Sequence, residues 1–247
     1  MRHFYLKTTN LAWFMLVVSV VLYFVDYLLF GEAVDVVSSF LGNLAFLPLY
    51  VLLVTLIIER ILKEREKRVM MRKMNMVIGV FFSEAGTNLL RDFPGFLVQY
   101  AELADMLRVT MNWSAKDFAK ATDFLACHDF AVDCCRDDLS SLKSFLMEKR
   151  AFSLGLLENP NLLEHDEFTD LLWAVFHLTE ELAARQRLDG LPQSDLDHLA
   201  LDIQRVYKTL THQWVQYMHH LKVDYPYLYS LAVRTNPMNP DAHPEVL

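Results

Sequence analysis

Residues 40–73 restrict the fold of this chain more than any other segment. They begin with the apolar run FLGNLAFLPLYVLLVTLII and pass without a break signal into the charged run ERILKEREKRVMMRK. At ~1.5 Å per helical residue, the apolar part is long enough to cross the ~30 Å hydrocarbon core of a bilayer. We therefore predict a membrane-spanning helix that continues into a charged helical stalk.

The charged run carries basic side chains that favour one side of the membrane. Lys and Arg concentrate in the cytoplasmic segments next to membrane helices and bind anionic headgroups. We predict that this basic cluster ends the span at the cytoplasmic face and contacts the membrane surface there. The cluster consists of Arg60, Lys63, Arg65, Lys67, Arg68, Arg72 and Lys73.

A second apolar run, residues 11–30, precedes this segment. It is too long for the apolar region of a signal peptide, which spans ~7–15 residues, and no small-x-small cleavage site follows it. The linker after it carries Glu32 and Asp35 but no Lys or Arg, whereas both flanking ends are basic. This distribution predicts a two-helix transmembrane hairpin, with helices at about 11–30 and 40–61 and both termini cytoplasmic. We expect an integral protein of the inner or plasma membrane, with the lipid bilayer as a partner.

The rest of the chain predicts an all-α cytoplasmic domain. Apolar residues recur with a helical period in successive segments, and no run of alternating β-branched residues is bounded by turn signals. The two longest periodic segments, 161–188 and 194–222, flank the turn-forming run DGLPQS and predict an antiparallel helix pair. The expected organisation is a hairpin over 1–62, a stalk over 63–74, a domain of about six to seven helices over 75–235 and a Pro-rich tail over 236–247, either loose or laid over the domain.

Local signals predict several features inside this domain. The segment FLVQYAELADMLRV predicts a helix that begins near Phe96, and Ser114 predicts the N-cap of a helix over 115–133. Three small residues in GVFFSEAG, residues 79–86, have the spacing that lets another backbone approach a helix closely. We expect tight packing there.

Charge is divided unevenly along the chain. Residues 1–73 hold nine Lys and Arg against six Asp and Glu, which makes +3, and the whole chain carries −8, so residues 74–247 carry −11. A domain this acidic is repelled by nucleic acid, so we expect a protein partner and no nucleic acid. The three cysteines, Cys127, Cys134 and Cys135, fall in the part assigned to the cytoplasm, where thiols stay reduced.

Polar residues within the apolar runs raise a transport hypothesis. Asp26, Asn43 and Thr55 are costly in lipid unless they contact another helix or line an aqueous path. Contact between helices is the simpler interpretation. The alternative is an oligomeric pore, with two helices per subunit and a cytoplasmic gating domain.

Histidine and carboxylate pairs raise a metal-site hypothesis. His177 precedes Glu181 by four residues, and His198 precedes Asp202 by four, on two neighbouring predicted helices. Such pairs facing each other are what helical bundles use to bind metal ions. The alternative is that His177 is a hydrogen-bonded core residue, with Glu180 and Glu181 facing water.

Motifs for other chemistry are missing or weak. The chain has seven glycines, with no phosphate-binding loop and no G-x-S-x-G elbow. Two histidines suggest a phosphotransfer hypothesis: His219 lies three residues before Lys222, and His165 lies beside acidic residues. The sequence contains no ATP-binding domain that would supply the phosphoryl group. A cluster of aromatic residues predicts helix-to-tail packing, with a ligand cleft as the alternative: Trp214, Tyr217, Tyr225, Tyr227 and Tyr229.

These features favour a non-enzymatic interaction or sensory protein that presents an acidic helical domain at the cytoplasmic face. Polar groups in the spans are more easily satisfied between helices than in lipid, so we expect a homo-oligomer. This hypothesis requires no cofactor. The pore and the metal-site protein are the alternatives.

Overall fold

The computed structural model describes residues 17–22, 24, 25, 27, 28, 33–160, 162 and 165–246. Contacts divide the chain into two compact units, Met1–Glu66 and Lys67–Leu247. The described residues are mostly helical, and an isolated antiparallel bridge between Leu97 and Val132 is their only β feature. The predicted all-α class is confirmed.

The helices are named in chain order. They are α1 (Ala33–Phe81), α2 (Thr87–Asp92), α3 (Ala101–Met106), α4 (Ala115–Cys127), α5 (Leu139–Leu157), α6 (Asp166–Ala184), α7 (Gln193–Asp224) and α8 (Pro226–Arg234), with a π-helical turn at Phe82–Gly86 and a 3₁₀ turn at Phe93–Phe96.

The N-terminal apolar segments are helical wherever the structure describes them. Residues 17–22, 24, 25, 27 and 28 are helical, and the rest of the predicted first span lies outside the described residues. Helix α1, Ala33–Phe81, includes the predicted second span. Among the described residues, one helix is long and apolar enough to cross a membrane, and none of its most apolar window is buried. The two-span hairpin stays a prediction.

The unit from Lys67 onwards is built around α6 and α7. Buried residues of α6 repeat at helical spacing, from Phe168 through Leu171, Leu172 and Val175 to Leu178. Helix α7 buries a matching stripe against them, and α5 packs on the other side of α6. This arrangement accounts for the 3.6-residue period of both segments.

Tertiary contacts shorten two predicted helices. The helix expected from Phe96 begins only at Ala101, since the backbone at Phe96 and Val98 pairs with residues after α4. The N–H of Val98 donates to the carbonyl of Ala131 at 2.9 Å. The N–H of Asp133 donates to the carbonyl of Phe96, also at 2.9 Å. Helix α4 correspondingly ends at Cys127 instead of near Asp133.

The tight packing expected at GVFFSEAG is present at its two glycines, where aromatic rings are the nearest neighbours. A Cβ on Gly86 would lie 2.6 Å from Cδ1 of Phe82 and 2.8 Å from Cε1 of Phe81. A Cβ on Gly79 would lie 3.4 Å from the hydroxyl of Tyr217. The close packing is therefore between helix backbone and aromatic side chains.

The start of the Pro-rich tail lies over the domain. Asn236 and Met238 are buried. The Asn236 side chain donates to the carbonyl of Leu107 at 3.2 Å and accepts from the N–H of Met238 at 2.9 Å. These tail residues are therefore laid over the domain, which is one of the two predicted alternatives, and are not loose.

Candidate metal centre

Helices α6 and α7 form the antiparallel pair that the sequence predicts. Glu167, near the start of α6, accepts a hydrogen bond from Gln213 in the second half of α7 at 3.1 Å. Arg185, just after α6, meets Asp195 in the first turn of α7. The connecting turn contains Gly190 at φ 72°, a conformation that glycine adopts without steric cost.

Each helix contributes one histidine and one carboxylate to the same place. His177 and Glu181 are four residues apart on α6, and His198 and Asp202 are four residues apart on α7. Side chains at this spacing share a helix face. The structure thus brings together all four residues of the predicted metal set.

The distances between these groups are short. Nε2 of His177 and Nε2 of His198 each lie 3.4 Å from Oδ2 of Asp202. Glu181 is adjacent, with Oε1 3.9 Å from Nε2 of His177 and Oε2 3.6 Å from Nε2 of His198. Among the described residues, His177, His198 and Asp202 are the only group of three such side chains whose ligand atoms all lie within 4.8 Å of one another.

Asp202 is the buried member of the group. Its side chain is 3% exposed, compared with 46% for His177 and 50% for His198. Oδ1 accepts a hydrogen bond from Arg205 at 2.7 Å, whereas the buried Oδ2 has no hydrogen-bond partner in the described part of the chain. A buried carboxylate oxygen in this state is costly unless a cation or donor occupies the space in front of it.

Arg185 fixes the second carboxylate. Its guanidinium donates to Oε2 of Glu181 at 2.8 Å and to both carboxylate oxygens of Asp195, at 2.5 and 3.0 Å. The hydrogen bond from Arg185 lowers the pKa of Glu181 below its usual 4.5, and the same donor lowers the pKa of Asp195 below 3.8. Glu181 is therefore held as an anion beside the two imidazoles.

This geometry matches that of a tetrahedral metal site. Nitrogen and oxygen ligands bind zinc at ~2.0–2.2 Å, so two ligand atoms on one tetrahedral ion are ~3.4 Å apart. The separations from Asp202 to the two histidines have this value, and that between Glu181 and His198 is slightly larger. His177, His198 and Asp202 thus already have their ligand atoms close together, and Glu181 is adjacent to them.

Sequence comparison assigns the chain to a family. Residues 70–234 match the family described as "Uncharacterized protein MJ1433, C-terminal helical domain", and residues 3–62 match "MJ1433, N-terminal helical domain". The chain belongs to the MJ1433 family. A relative from Methanocaldococcus jannaschii, "Uncharacterized protein MJ1433", is 46% identical over 221 residues, which cover 90% of this chain and 89% of the relative. No solved structure matches the chain.

The candidate metal centre lies wholly within the C-terminal helical domain of the MJ1433 family. The two family domains meet between residues 62 and 70, and the contacts within the chain divide it between Glu66 and Lys67. The description of both family domains as helical agrees with the all-α structure.

Two sequence interpretations near the centre are corrected. His177 is half exposed and is not a core histidine. Glu181 contacts both histidines and Arg185, so it does not simply face water. Glu180 turns the other way and pairs with Arg150 at 2.8 Å.

Sequence reasoning missed the two arginines that orient the carboxylates. Arg205 lies three residues after Asp202, and Arg185 lies four residues after Glu181. These spacings place each arginine on the same helix face as its carboxylate, so the signal was present in the sequence. Carboxylates that bind metals are commonly held by a second hydrogen bond of this kind.

The three cysteines of this MJ1433-family chain are not among the residues of the candidate centre. Cys127 and Cys135 are exposed, and Cys134 is buried. Burial raises the pKa of the Cys134 thiol to about 11, with Cys135 and Asp133 adding to the effect. The neutral thiol packs in the core.

The described residues of the transport hypothesis do not form a site, whereas His165 and His219 of the phosphotransfer hypothesis both line one cavity. Asp26 lies outside them, and Asn43 and Thr55 are exposed on α1. His219 stacks on Phe118 at 4.8 Å, and Lys222 donates to the carbonyl of Met111 at 2.7 Å. The pore stays an untested prediction.

The basic cluster of this family member is exposed along α1. All seven of its side chains, from Arg60 to Lys73, are solvent-accessible. Lys63 pairs with Glu59 at 2.7 Å, as the four-residue spacing predicts, and Arg60 pairs with Glu64 at 3.4 Å. Exposed pairs of this kind contribute little stability.

Proposed function

We propose that this protein is a membrane-anchored, non-enzymatic sensor whose cytoplasmic helical domain binds one divalent first-row transition metal ion. His177, Glu181, His198 and Asp202 are the ligands. The observation that carries the proposal is the buried Oδ2 of Asp202, which has no hydrogen-bond partner among the described residues and faces two imidazole nitrogens at 3.4 Å.

A bound cation accounts for what the side chains leave unsatisfied. A metal ion provides the positive charge that Oδ2 lacks, and it accepts the lone pairs of two neutral imidazoles. Arg205 and Arg185 already occupy the outer side of the two carboxylates. Oδ2 of Asp202 is thereby left facing both histidines, whereas Oε2 of Glu181 accepts from Arg185 and also lies 3.6 Å from Nε2 of His198.

The ligand set indicates the class of metal. Two imidazoles with two carboxylates suit zinc and its neighbours better than calcium or magnesium, which prefer oxygen ligands only. The half-exposed imidazoles of His177 and His198 leave a path from solvent. We therefore expect an ion that exchanges with the surrounding solution.

The proposal favours sensing over catalysis for a structural reason. Metal sites with four protein ligands are typically structural, whereas catalytic sites keep a position open for water or substrate. Both carboxylates would be metal ligands in this centre, so neither would be available as a general base. Metal binding would instead cross-link helix α6 to helix α7.

The membrane anchor is supported by the surface of α1. Apolar side chains are exposed on all sides of the helix over residues 44–58, and a helix that is apolar all round requires the interior of a protein or of a membrane. They include Leu44, Phe46, Leu47, Leu49, Val51, Leu52, Leu53, Val54, Leu56, Ile57 and Ile58.

Metal titration of the full chain tests the sensor proposal. Protein extracted in detergent and stripped with a chelator is titrated with Zn²⁺ in a calorimeter and, separately, with Co²⁺ while the visible spectrum is recorded. We expect one ion per chain and the intense cobalt absorption of a tetrahedral site. The absence of saturable binding, or the weak cobalt spectrum of an ion surrounded by water, would overturn the proposal.

Topology mapping tests the anchor. Single cysteines placed near each terminus of a cysteine-free variant are labelled in intact cells with a reagent that does not cross membranes. We expect both positions to be protected and to react once the membrane is opened. Labelling of one terminus in intact cells would refute the hairpin.

A further inference from the structure

A pocket lies at the opposite end of the α6–α7 pair from the candidate metal centre. It is a cavity of about 290 Å³ between α1, α7 and His165, the residue before α6. Since His165 and His177 are twelve residues apart, the cavity lies ~18 Å along the helix from the metal centre. Its walls include Met71, Asn75 and Ile78 of α1, and Gln213, Tyr217 and Asp224 of α7.

Gln213 gives this cavity an unsatisfied acceptor. Its side chain lines the cavity, is 1% exposed, and donates from Nε2 to Glu167 at 3.1 Å. This bond fixes the amide, because the reverse orientation would place Oε1 against a carboxylate. Oε1 is consequently buried without a partner among the described residues. An N–H or O–H group in the cavity would satisfy it.

The cavity lining carries a carboxylate but no Lys or Arg. Its described titratable side chains are Asp224 and the imidazoles of His165, His219 and His220, and Asp224 pairs with His220 at 2.8 Å. Phosphate and carboxylate ligands generally require a cationic side chain. The domain as a whole carries −11 beyond residue 73, which raises the local concentration of small cations.

The aromatic wall of the cavity packs against the π-helical turn. Tyr217 lines the cavity and stacks on Phe82, the first residue of that turn, with ring centroids 5.1 Å apart. Gly79 allows the Tyr217 hydroxyl to come this close to α1. Single π-helical turns frequently occur at functional sites. The irregular turn shapes the aromatic side of the cavity.

We infer that this cavity binds a small organic ammonium ion, with Oε1 of Gln213 accepting one of its N–H groups. The buried unpaired acceptor supplies the specific contact, and Asp224 supplies the opposite charge. This inference does not depend on the metal centre. It extends the sensory proposal to a second ligand, held partly by the helix that carries the apolar segment.

Three probes of similar size and different charge test the inference on the full chain in lipid nanodiscs. Benzylammonium, benzyl alcohol and benzoate are each titrated, and binding is followed by saturation-transfer NMR and calorimetry. We expect benzylammonium to bind at one site in the millimolar range or tighter, benzyl alcohol to bind more weakly, and benzoate not to bind.

Two variants identify the contacts. Gln213→Met keeps the side-chain length and removes the acceptor, and it should weaken benzylammonium binding by about 10-fold or more. Asp224→Asn alters an exposed carboxylate, so it should fold normally, weaken benzylammonium and leave benzyl alcohol unchanged. Zinc binding of both variants should equal that of the wild type, which separates this site from the metal centre.

Several results would overturn the inference. They are equal binding of benzoate and benzylammonium, wild-type affinity in either variant when its melting temperature is unchanged, and failure of all three probes to bind. The last result would mean that water alone satisfies Gln213. If Gln213→Met melts at a lower temperature, Asp224→Asn decides the question.

Discussion

Nε2 of His177 on α6 lies 3.4 Å from Oδ2 of Asp202 on α7, although 25 residues separate the two along the chain. His198 reaches the same oxygen from its own helix at the same distance. The antiparallel pairing of α6 and α7 therefore assembles a site that neither helix contains alone.

Asp202→Asn should abolish the stabilisation by zinc without destabilising the metal-free protein. Asparagine keeps the acceptor that Arg205 uses and replaces the unpartnered oxygen by a neutral amide. Zinc at 100 times its dissociation constant should stabilise the wild type by ~2.7 kcal/mol, and this gain should vanish in the variant. Thermal unfolding with and without Zn²⁺ measures both effects.

The matched control for this experiment is Asp197→Asn. Asp197 is an exposed carboxylate on the same helix, and it accepts from Gln193 at 2.8 Å. This variant should respond to zinc like the wild type. A metal-free Asp202→Asn protein that unfolds far more easily than the wild type would instead indicate a purely structural role for Asp202.

Gly86→Ala should destabilise the C-terminal unit by roughly 1–3 kcal/mol, because the added methyl would overlap two buried rings. Its Cβ would lie 2.6 Å from Phe82 and 2.8 Å from Phe81. Urea unfolding followed by circular dichroism gives the free energy of unfolding.

Gly155→Ala serves as the control for Gly86. Gly155 lies in α5, is exposed, and has nothing within 4 Å of the added Cβ. Alanine there should stabilise the helix by ~0.5–1 kcal/mol. Equal effects of the two substitutions would contradict the packing seen at the π-helical turn.

Native alkylation should modify two of the three cysteines. Cys127 and Cys135 are exposed, whereas Cys134 is buried with a thiol pKa raised to about 11. At pH 8 a thiol with that pKa is almost entirely protonated, and only the thiolate reacts. Intact mass after iodoacetamide treatment should show two adducts, and three after unfolding. Rapid addition of a third adduct to the folded protein would contradict the burial of Cys134.

Asn236→Ala should detach the start of the tail. Asn236 is fully buried and satisfies both the carbonyl of Leu107 and the N–H of Met238. Leaving these groups unpaired should cost roughly 1–3 kcal/mol in the free energy of unfolding. Asn239→Ala, which loses only an exposed contact to the N–H of Asp241, is the control and should change stability little. Similar losses in both variants would show that Asn236 does not anchor the tail.

Tyr229→Phe should make the protein less sensitive to alkali. Burial raises the pKa of the Tyr229 phenol to about 12, against ~10 in an unfolded chain. Its stabilising contribution is therefore present below pH 10 and is lost as the pH rises toward 12. Phenylalanine removes this dependence, together with the hydrogen bond to the carbonyl of Thr110. Parallel stability curves for wild type and variant from pH 9 to 12 would refute the effect.

Much of the C-terminal fold was predictable because its helices are amphipathic and bounded by turn signals. The period of Phe168, Leu171 and Leu178 indicated α6, and the run DGLPQS indicated the turn to α7. The same local rule placed His177 with Glu181, and His198 with Asp202. These are relations between residues a few positions apart, and backbone geometry alone determines them.

Other features escaped prediction because distant residues decide them. Phe96 continues a helical pattern, yet its backbone pairs with residues after α4 and cannot also form helix bonds. Gly79 indicated close packing, but nothing local showed that the ring of Tyr217, far along the chain, would fill the space. The unsatisfied Gln213 had no sequence signal, because burial without a partner depends on every neighbouring element.

The sequence by itself determined which side chains share a helix face, where the apolar segments lie and how charge is divided along the chain. Only the tertiary structure decided that the two histidine–carboxylate faces meet, that Asp202 is the buried member, and that Gln213 closes a cavity. The physical reason is that local spacing orients side chains around one helix axis. The alignment of one helix against another is set by the packing of the whole hydrophobic core.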